Sequence, residues 1–272
     1  MNAQRTLDRT LAAAAILALI GVHPLSGAQN GFATGVDLQV RDGRPIVSNV
    51  FINGHGPYRF LLDTGTNTNL IDSDLAQSIG MSVTFSVEMA STGGTMRVPG
   101  ANGNVIALGS VQAERQTLLF STLEAVHRLS SDIRGVLGQG FLSRFNYLLD
   151  LRAKRLVFGT RIATGTRVNF ETRNGRSVVA TNLGRLVIDS GTRWVILFGV
   201  ETEASTHRVR TLTGSLVAGT VARDLTIGGH HVWYGEAIAI PRPSTEAEDG
   251  LLPVSAFHSI YVCNSENYVV LD

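Results

Sequence analysis

Cysteine is almost missing from this chain. Cys263 is the only one in 272 residues, so no internal disulfide can form and no paired-cysteine metal site can be built. A lone cysteine of this kind reads as a small buried apolar residue. Lysine is equally scarce. Lys154 stands alone, and the arginines that carry nearly all the basic charge are scattered through both halves without a run or stripe. That pattern, with a formal net charge of +1, excludes an electrostatic nucleic-acid interface. The sequence also has no HExxH, no GxSxG and no phosphate-binding loop, which sets aside zinc hydrolase, serine hydrolase and nucleotide chemistry. The adjacent His230 and His231 would point to opposite faces of a strand, so they read as surface residues and not as a metal pair. No metal and no cofactor is expected.

Long apolar runs are absent except at the start. Arg5 and Arg9 precede an apolar stretch from Leu11 to Val22, and Ser26-Gly27-Ala28 supplies the small residues of a cleavage site. Residues 1–28 therefore read as an export signal. The stretch falls well short of the roughly 20 residues needed to cross a bilayer. A periplasmic or secreted protein is expected, with no stable membrane span after cleavage. What remains is near neutral.

The chain as a whole is rich in hydrophobic residues (44%) and glycine (29 residues), enough to bury a sizeable core. Short Val/Ile/Leu/Thr runs alternate with Gly, Asn and Asp, as in "LQVRDGRPIVSNVFING" and "GNVIALGSVQAERQTLLF", the signature of an all-β protein built from hairpins. Few helices are expected. One starts at Asp72 or Ser73 as N-cap, runs through Leu75, Ala76 and Ile79 and stops at Gly80; a second short one lies near Phe141 to Phe145.

An internal repeat organises everything else. "FLLDTGTNTNLID" (60–72) and "LVIDSGTRWVILF" (186–198) share one pattern: apolar residues, Asp, a hydroxyl residue, Gly, Thr, then apolar residues again. Hairpin-like text precedes each, in "SNVFINGHGPYRF" and "SVVATNLGRL". Downstream, "GVLGQGFLSRFNYLLDLRAKRLVF" (135–158) has a counterpart in "GLLPVSAFHSIYVCNSENYVVL" (250–271). The chain reads as a duplicated unit: residues 29–160, a polar Gly-punctuated linker at 161–176, and residues 177–272.

Asp63-Thr64-Gly65-Thr66 and Asp189-Ser190-Gly191-Thr192, followed by Gly135-Val136-Leu137-Gly138 and Gly250-Leu251-Leu252-Pro253, resemble the aspartic peptidases in their two-lobed single-chain form. The short halves look more like two fused retropepsin-type units than a long pepsin. The resemblance implies two similar β-barrel-like lobes with an active-site cleft between them, a monomer, and peptide or protein substrates. It implies that Asp63 and Asp189 are the catalytic pair, sharing one proton because like charges so close cannot both ionise cheaply. One carboxylate would then activate a water while the other polarises the scissile carbonyl.

The same resemblance gives supporting roles to the neighbours. Gly65 and Gly191 allow the tight turns and close approach of the two loops. Thr64 and Ser190 match positions whose hydroxyls bond across to the opposite loop. Thr66 and Thr192 match positions where a hydroxyl can donate to the outer carboxylate oxygen, which implies an acidic working range. A flap is expected in "VEMASTGGTMRV" (87–98), with Ser91, Thr92, Gly93 and Gly94 at its tip, and a second hairpin in "VRTLTGSLVAG" (209–219). Two departures stand out. The first hairpin has no tyrosine where pepsin-type flaps carry one, and Pro253 replaces the glycine of the second apolar element. The alternative to an endopeptidase is a non-catalytic peptide-binding protein that keeps the cleft and binds by β-augmentation.

Overall fold

The structure, a computed structural model, describes residues 17–18, 35–91, 94–159, 164–202, 207–210 and 215–272. The proposed export signal lies outside these residues, except for Leu17 and Ala18, which pair with Ala90 and Met89. The fold is all-β, with three short α-helices and one 3-10 turn among the described residues. No helix among them is long and apolar enough to cross a membrane.

In the first half the strand pairings close into a ring. Arg44–Ile52 pairs with His55–Leu62, which runs parallel to Ile133–Leu137. That strand pairs with Asn69–Asp72, which lies parallel to Val111–Ser121. Val111–Ser121 pairs with Gly94–Leu108, and Gly94–Leu108 returns to Arg44–Ile52. The second half repeats the order. Arg176–Thr181 pairs with Gly184–Asp189, then come Gly250–Pro253 in parallel, Ile196–Phe198, His230–Ile240 in parallel, and Ser215–Ile227.

A matched asparagine holds the last strand in each half. Asn53 N–H donates to the Val105 carbonyl while its Oδ1 accepts from Val105 N–H. Asn182 makes the same two bonds with Thr226. An asparagine beside a turn offers backbone-like donor and acceptor groups, so it can finish a ladder where regular pairing stops.

Six strands join the halves. In spatial order they are Gly35–Arg41, Arg155–Phe158, Tyr147–Asp150, Ser259–Cys263, Tyr268–Leu271 and Thr166–Arg173. The last of these corrects the expected linker: much of 161–176 is strand, paired with Tyr268–Leu271 at one end and with Arg176–Thr181 at the other. Four of its eight residues are exposed, Arg167, Asn169, Glu171 and Thr172, and only Phe170 is buried, which gives the stretch its polar composition. Cys263 is buried in this sheet, as a small apolar residue would be.

The first helix forms at Ser73–Ser78 where the sequence places it. Asp72 caps it, its Oδ1 accepting from the backbone N–H of Asp74 and Leu75, and Gly80 ends it at φ +72. The second helix is Gln139–Leu142 and stops short of the expected Phe145; at its start Gly138 N–H donates to Asn69 Oδ1. A third, Glu124–His127, follows Leu123 at φ 53 and carries no side-chain cap, so no capping signal announces it. His230 and His231 are exposed, His231 beside Asp224 at 2.7 Å.

One buried ionic cluster stands out. Arg176 is 0% exposed and holds Glu246 through two bonds of 3.0 and 2.8 Å and Glu248 through one of 3.0 Å. Removing one partner of such a cluster leaves an uncompensated charge in the interior. Arg176→Met is expected to lose on the order of 3–5 kcal/mol of stability in urea titration. Adding Glu246→Gln and Glu248→Gln should recover most of that loss; a variant that stays equally unstable would show that shape, not charge, is what Arg176 supplies.

Candidate active site

Each sheet delivers its aspartate the same way. Leu62 ends a strand paired with Leu137, and Asp63 N–H donates to the Leu137 carbonyl at 3.0 Å. In the second half Asp189 lies opposite Pro253 in the parallel ladder. The chain then turns sharply, so each carboxyl can accept from the amide two residues on: Gly65 N–H to Asp63 Oδ1 at 3.0 Å, Gly191 N–H to Asp189 Oδ1 at 2.6 Å.

The two turns interlock through four hydrogen bonds. Thr64 N–H donates to Ser190 Oγ (3.0 Å), and Ser190 N–H donates to Thr64 Oγ1 (3.0 Å). The same hydroxyls donate onward, Thr64 Oγ1 to the Ile188 carbonyl (2.8 Å) and Ser190 Oγ to the Leu62 carbonyl (2.7 Å). Both are buried. Each hydroxyl therefore uses one lone pair and its proton across the interface, and each is satisfied only if the other loop is in place.

Glycine is obligatory at the contact. A Cβ on Gly65 would fall 2.4 Å from the Asp189 carboxyl carbon, and one on Gly191 would fall 2.6 Å from that of Asp63. Asp63 and Asp189 are 1% and 0% exposed, and each carboxyl lies against the glycine of the opposite loop. Asp189 Oδ2 is buried and receives no hydrogen bond from the described residues. Burial, and then the charge of Asp189, push Asp63 well above the ordinary carboxylate range. Burial pushes Asp189 up to about 6, opposed by the Gly191 amide. The pair titrates as one unit.

The outer threonines do not behave as the resemblance implies. Thr66 Oγ1 is buried with no hydrogen-bond partner among the described residues, and Thr192 Oγ1 engages the Trp194 backbone at 3.2 and 3.3 Å. Neither reaches a dyad carboxylate. With that donor missing, desolvation sets the direction of both pKa shifts, and the acidic working range inferred from these hydroxyls loses its basis.

Two buried side chains that the sequence reading missed support the loops from below. Gln139 Nε2 donates to the Thr64 carbonyl (2.9 Å), and its backbone N–H donates to the Thr66 carbonyl (2.9 Å). On the other side Arg44 Nε donates to the Gly191 carbonyl (2.7 Å). Arg44 also binds Asp42 at 3.0 Å, whose other oxygen takes Arg193. The clue was a second repeat: "RDGRPIV" (41–47) and "RNGRSVV" (173–179) place Arg44 and Arg176 at matched sites. Both turns have two consecutive positive φ values, 51 and 75 at Asp42-Gly43 and 49 and 75 at Asn174-Gly175. This is the two-residue hairpin that suits twisted strands.

Pro253 has a physical explanation as well. Gly138 N–H donates to Asn69 Oδ1 at 3.0 Å, and a Cβ there would lie 2.0 Å from the Thr68 carbonyl. The matching residues of the second half are Pro253, which has no N–H, and Val195, which has no acceptor. Replacing both partners of a hydrogen bond with apolar groups leaves nothing unsatisfied.

The expected flap strands are present. Phe85–Ser91 pairs with Gly94–Leu108, and Ser91 lies opposite Gly94; Thr92 and Gly93 lie outside the described residues. In the second half His207–Arg210 pairs with Ser215–Ile227, and the tip at 211–214 is outside the described residues too.

No curated protein matches the chain at a significant level. Residues 48–141 match the family described as aspartyl protease, a span that contains the first Asp-Thr-Gly turn and the Gly135–Gly138 element, and this match supports the assignment of the chain to the aspartic peptidases.

Proposed function

We propose that the protein is an exported aspartic endopeptidase whose two halves act as lobes around a cleft, with Asp63 and Asp189 as its catalytic pair. The observation that carries this reading is the meeting of two buried carboxyls, each held by its own glycine amide and each lying against the glycine of the opposite loop. A water between them would lose its proton to the ionised carboxyl as it attacks the peptide carbonyl. The protonated carboxyl would donate to the carbonyl oxygen, and the roles would reverse as the amine leaves. Arg44 and Arg176 act on Asp189 more than on Asp63, which favours Asp189 as the base and Asp63 as the proton holder.

A protein that only bound peptides would gain nothing from two desolvated acids, each of which destabilises the fold at neutral pH. The decisive test is digestion of a peptide library by wild type and by Asp63→Asn and Asp189→Asn. Wild type should cleave and both variants should lose activity by several orders of magnitude; cleavage surviving in either variant would overturn the reading.

The pH dependence follows from the raised pKa values. Below about 6 the pair takes up its second proton and has no base left. kcat/KM should therefore fall on the acid side of about 6 and hold toward neutral pH, as a profile from acid to mildly alkaline solution would show. A carboxyl raised from 3.8 to about 6 in the fold costs roughly 3 kcal/mol at neutral pH. The cost vanishes below its unfolded value of about 3.9, where both states are protonated. Asp189→Asn should thus raise Tm at neutral pH and lose that advantage in acid.

Arg44 supplies the last test. Arg44→Gln removes a positive charge that faces Asp189 together with Arg176, and is itself faced by Asp42 and Arg193. The acid limb should move to higher pH, and kcat should drop about tenfold with little change in KM. Arg44→Lys should restore the limb more than the rate.

A further inference from the structure

Four amide side chains are buried in the first half: Asn104, Gln116, Asn69 and Gln139. A buried amide costs free energy unless its donors and acceptor are met. Asn104 Nδ2 donates to the Ala101 carbonyl (2.8 Å) and the Gln116 carbonyl (3.3 Å), where the ladder between Gly94–Leu108 and Val111–Ser121 shifts register. Gln116 Nε2 donates to the Glu114 carbonyl at 3.2 Å, which leaves its Oε1 to accept from Asn69 Nδ2 at 3.1 Å. Asn69 Oδ1 then accepts from Gly138 N–H at 3.0 Å.

This order of donors and acceptors admits one orientation. A flipped Asn69 amide would set its Nδ2 against Gly138 N–H, and its Oδ1 against the Gln116 oxygen and the Thr117 carbonyl that Nδ2 now reaches at 3.4 Å. Holding Gly138 holds the next residue too. Gln139 N–H donates to the Thr66 carbonyl and its Nε2 to the Thr64 carbonyl, each at 2.9 Å. The Thr64 carbonyl and Gly65 N–H belong to one rigid peptide plane and point in opposite directions. Fixing the carbonyl therefore aims the N–H, and that N–H is the donor to Asp63 Oδ1 at 3.0 Å. The second half cannot repeat the series, because Val195, Pro253 and Val254 stand at the places of Asn69, Gly138 and Gln139.

We propose that Gln116 is a positioning residue for the catalytic centre: acting through Asn69 and Gln139, it fixes the peptide plane that supplies the Asp63 carboxylate with its Gly65 donor. Its importance for catalysis rests on the endopeptidase reading above, whereas the donor it fixes can be read without any reaction.

Asp63 is faced by Asp189, by the Gly65 amide and by Arg44. Asp189→Asn removes the other acid, so Asp63 titrates alone and its carboxyl carbon can be followed by NMR without substrate. In that background Gln116→Met, similar in length but with no acceptor for Asn69, should raise the Asp63 midpoint by about one pH unit, the size of a weakened hydrogen bond to a carboxylate. Gln116→Glu should keep the parent midpoint. Burial holds its carboxyl protonated, so it donates to the Glu114 carbonyl and accepts from Asn69 as the amide does. Leu108→Ala, which opens the same barrel at the far end of the ladder, should leave the midpoint unchanged as well. If Gln116→Met is too unstable to titrate, Gln116→Asn, one methylene too short to reach Asn69, should give the same rise.

A midpoint unmoved by loss of the Gln116 amide, or moved as far by Gln116→Glu or Leu108→Ala, would overturn the proposal. With both aspartates present, Gln116→Met should shift the alkaline limb of kcat/KM upward, since the pair then keeps its last proton to higher pH, and leave the acid limb in place. Movement of the acid limb instead would place the effect on Asp189 and count against it. The two readings fail separately. A raised midpoint in a chain that cleaves no peptide keeps the positioning role of Gln116 for the Asp63 donor and sinks the peptidase. Cleavage by wild type with an unmoved midpoint does the reverse.

Discussion

Everything at the centre of this molecule depends on two hydroxyls that each need the opposite loop. Thr64 and Ser190 exchange backbone N–H bonds and pass their protons to the Ile188 and Leu62 carbonyls. A buried hydroxyl with one of these partners removed would keep an unsatisfied group in a dry interior, at a cost of about 1–3 kcal/mol. The loops therefore have one low-energy arrangement, and it is the arrangement that forces the carboxyls together. Proximity of the acids is a by-product of satisfying the neighbours. Their repulsion and desolvation are met by the interlock and by two glycine amides.

The two loops are held by different chemistry although the sequence is duplicated. Under the first, Gln139 is a neutral amide that serves two carbonyls, and Asn69 fixes Gly138. Under the second, Arg44 brings a charge to the Gly191 carbonyl, and the Asn–Gly bond has been replaced as a pair by Val195 and Pro253. The matched arginine, Arg176, faces Glu246 and Glu248. A homodimer of identical halves must give both aspartates the same surroundings. A single chain can differentiate them, and here the cationic support falls mainly on Asp189.

How much of this was legible in the sequence depended on whether a residue's partner was local. The two Asp-hydroxyl-Gly-Thr turns, the capped helix at Ser73–Ser78 and the hairpin-rich β architecture could be read because turn and cap chemistry acts within a few residues. The resemblance placed Thr64 and Ser190 correctly across the interface. It misplaced Thr66 and Thr192, because where a hydroxyl points is decided by its surroundings and not by its place in a motif. Arg44 was overlooked for the opposite reason: its target is 147 residues away, and in composition it is one arginine among many. Only the repeat of "RDGR" in "RNGR" betrays it, and half of that repeat lay in a stretch polar enough to pass for a linker.

That repeat also shows why neither half could assemble the centre alone. The Asp42-Gly43 turn belongs to the first half yet rests on Arg193 and Ser255 of the second. The Asn174-Gly175 turn belongs to the second half, and a Cβ at Gly175 would lie 3.4 Å from Asn67 of the first. Asn67 and Arg193 occupy the same position, four residues past each aspartate. Each hairpin thus backs the other half's aspartate loop. Separating the halves would part the two carboxyls, expose the hydroxyl interlock to water and leave both turns without a surface. The geometry that raises the pKa values of the dyad and the contacts that hold the halves together are therefore one set of interactions, and neither can be weakened without the other.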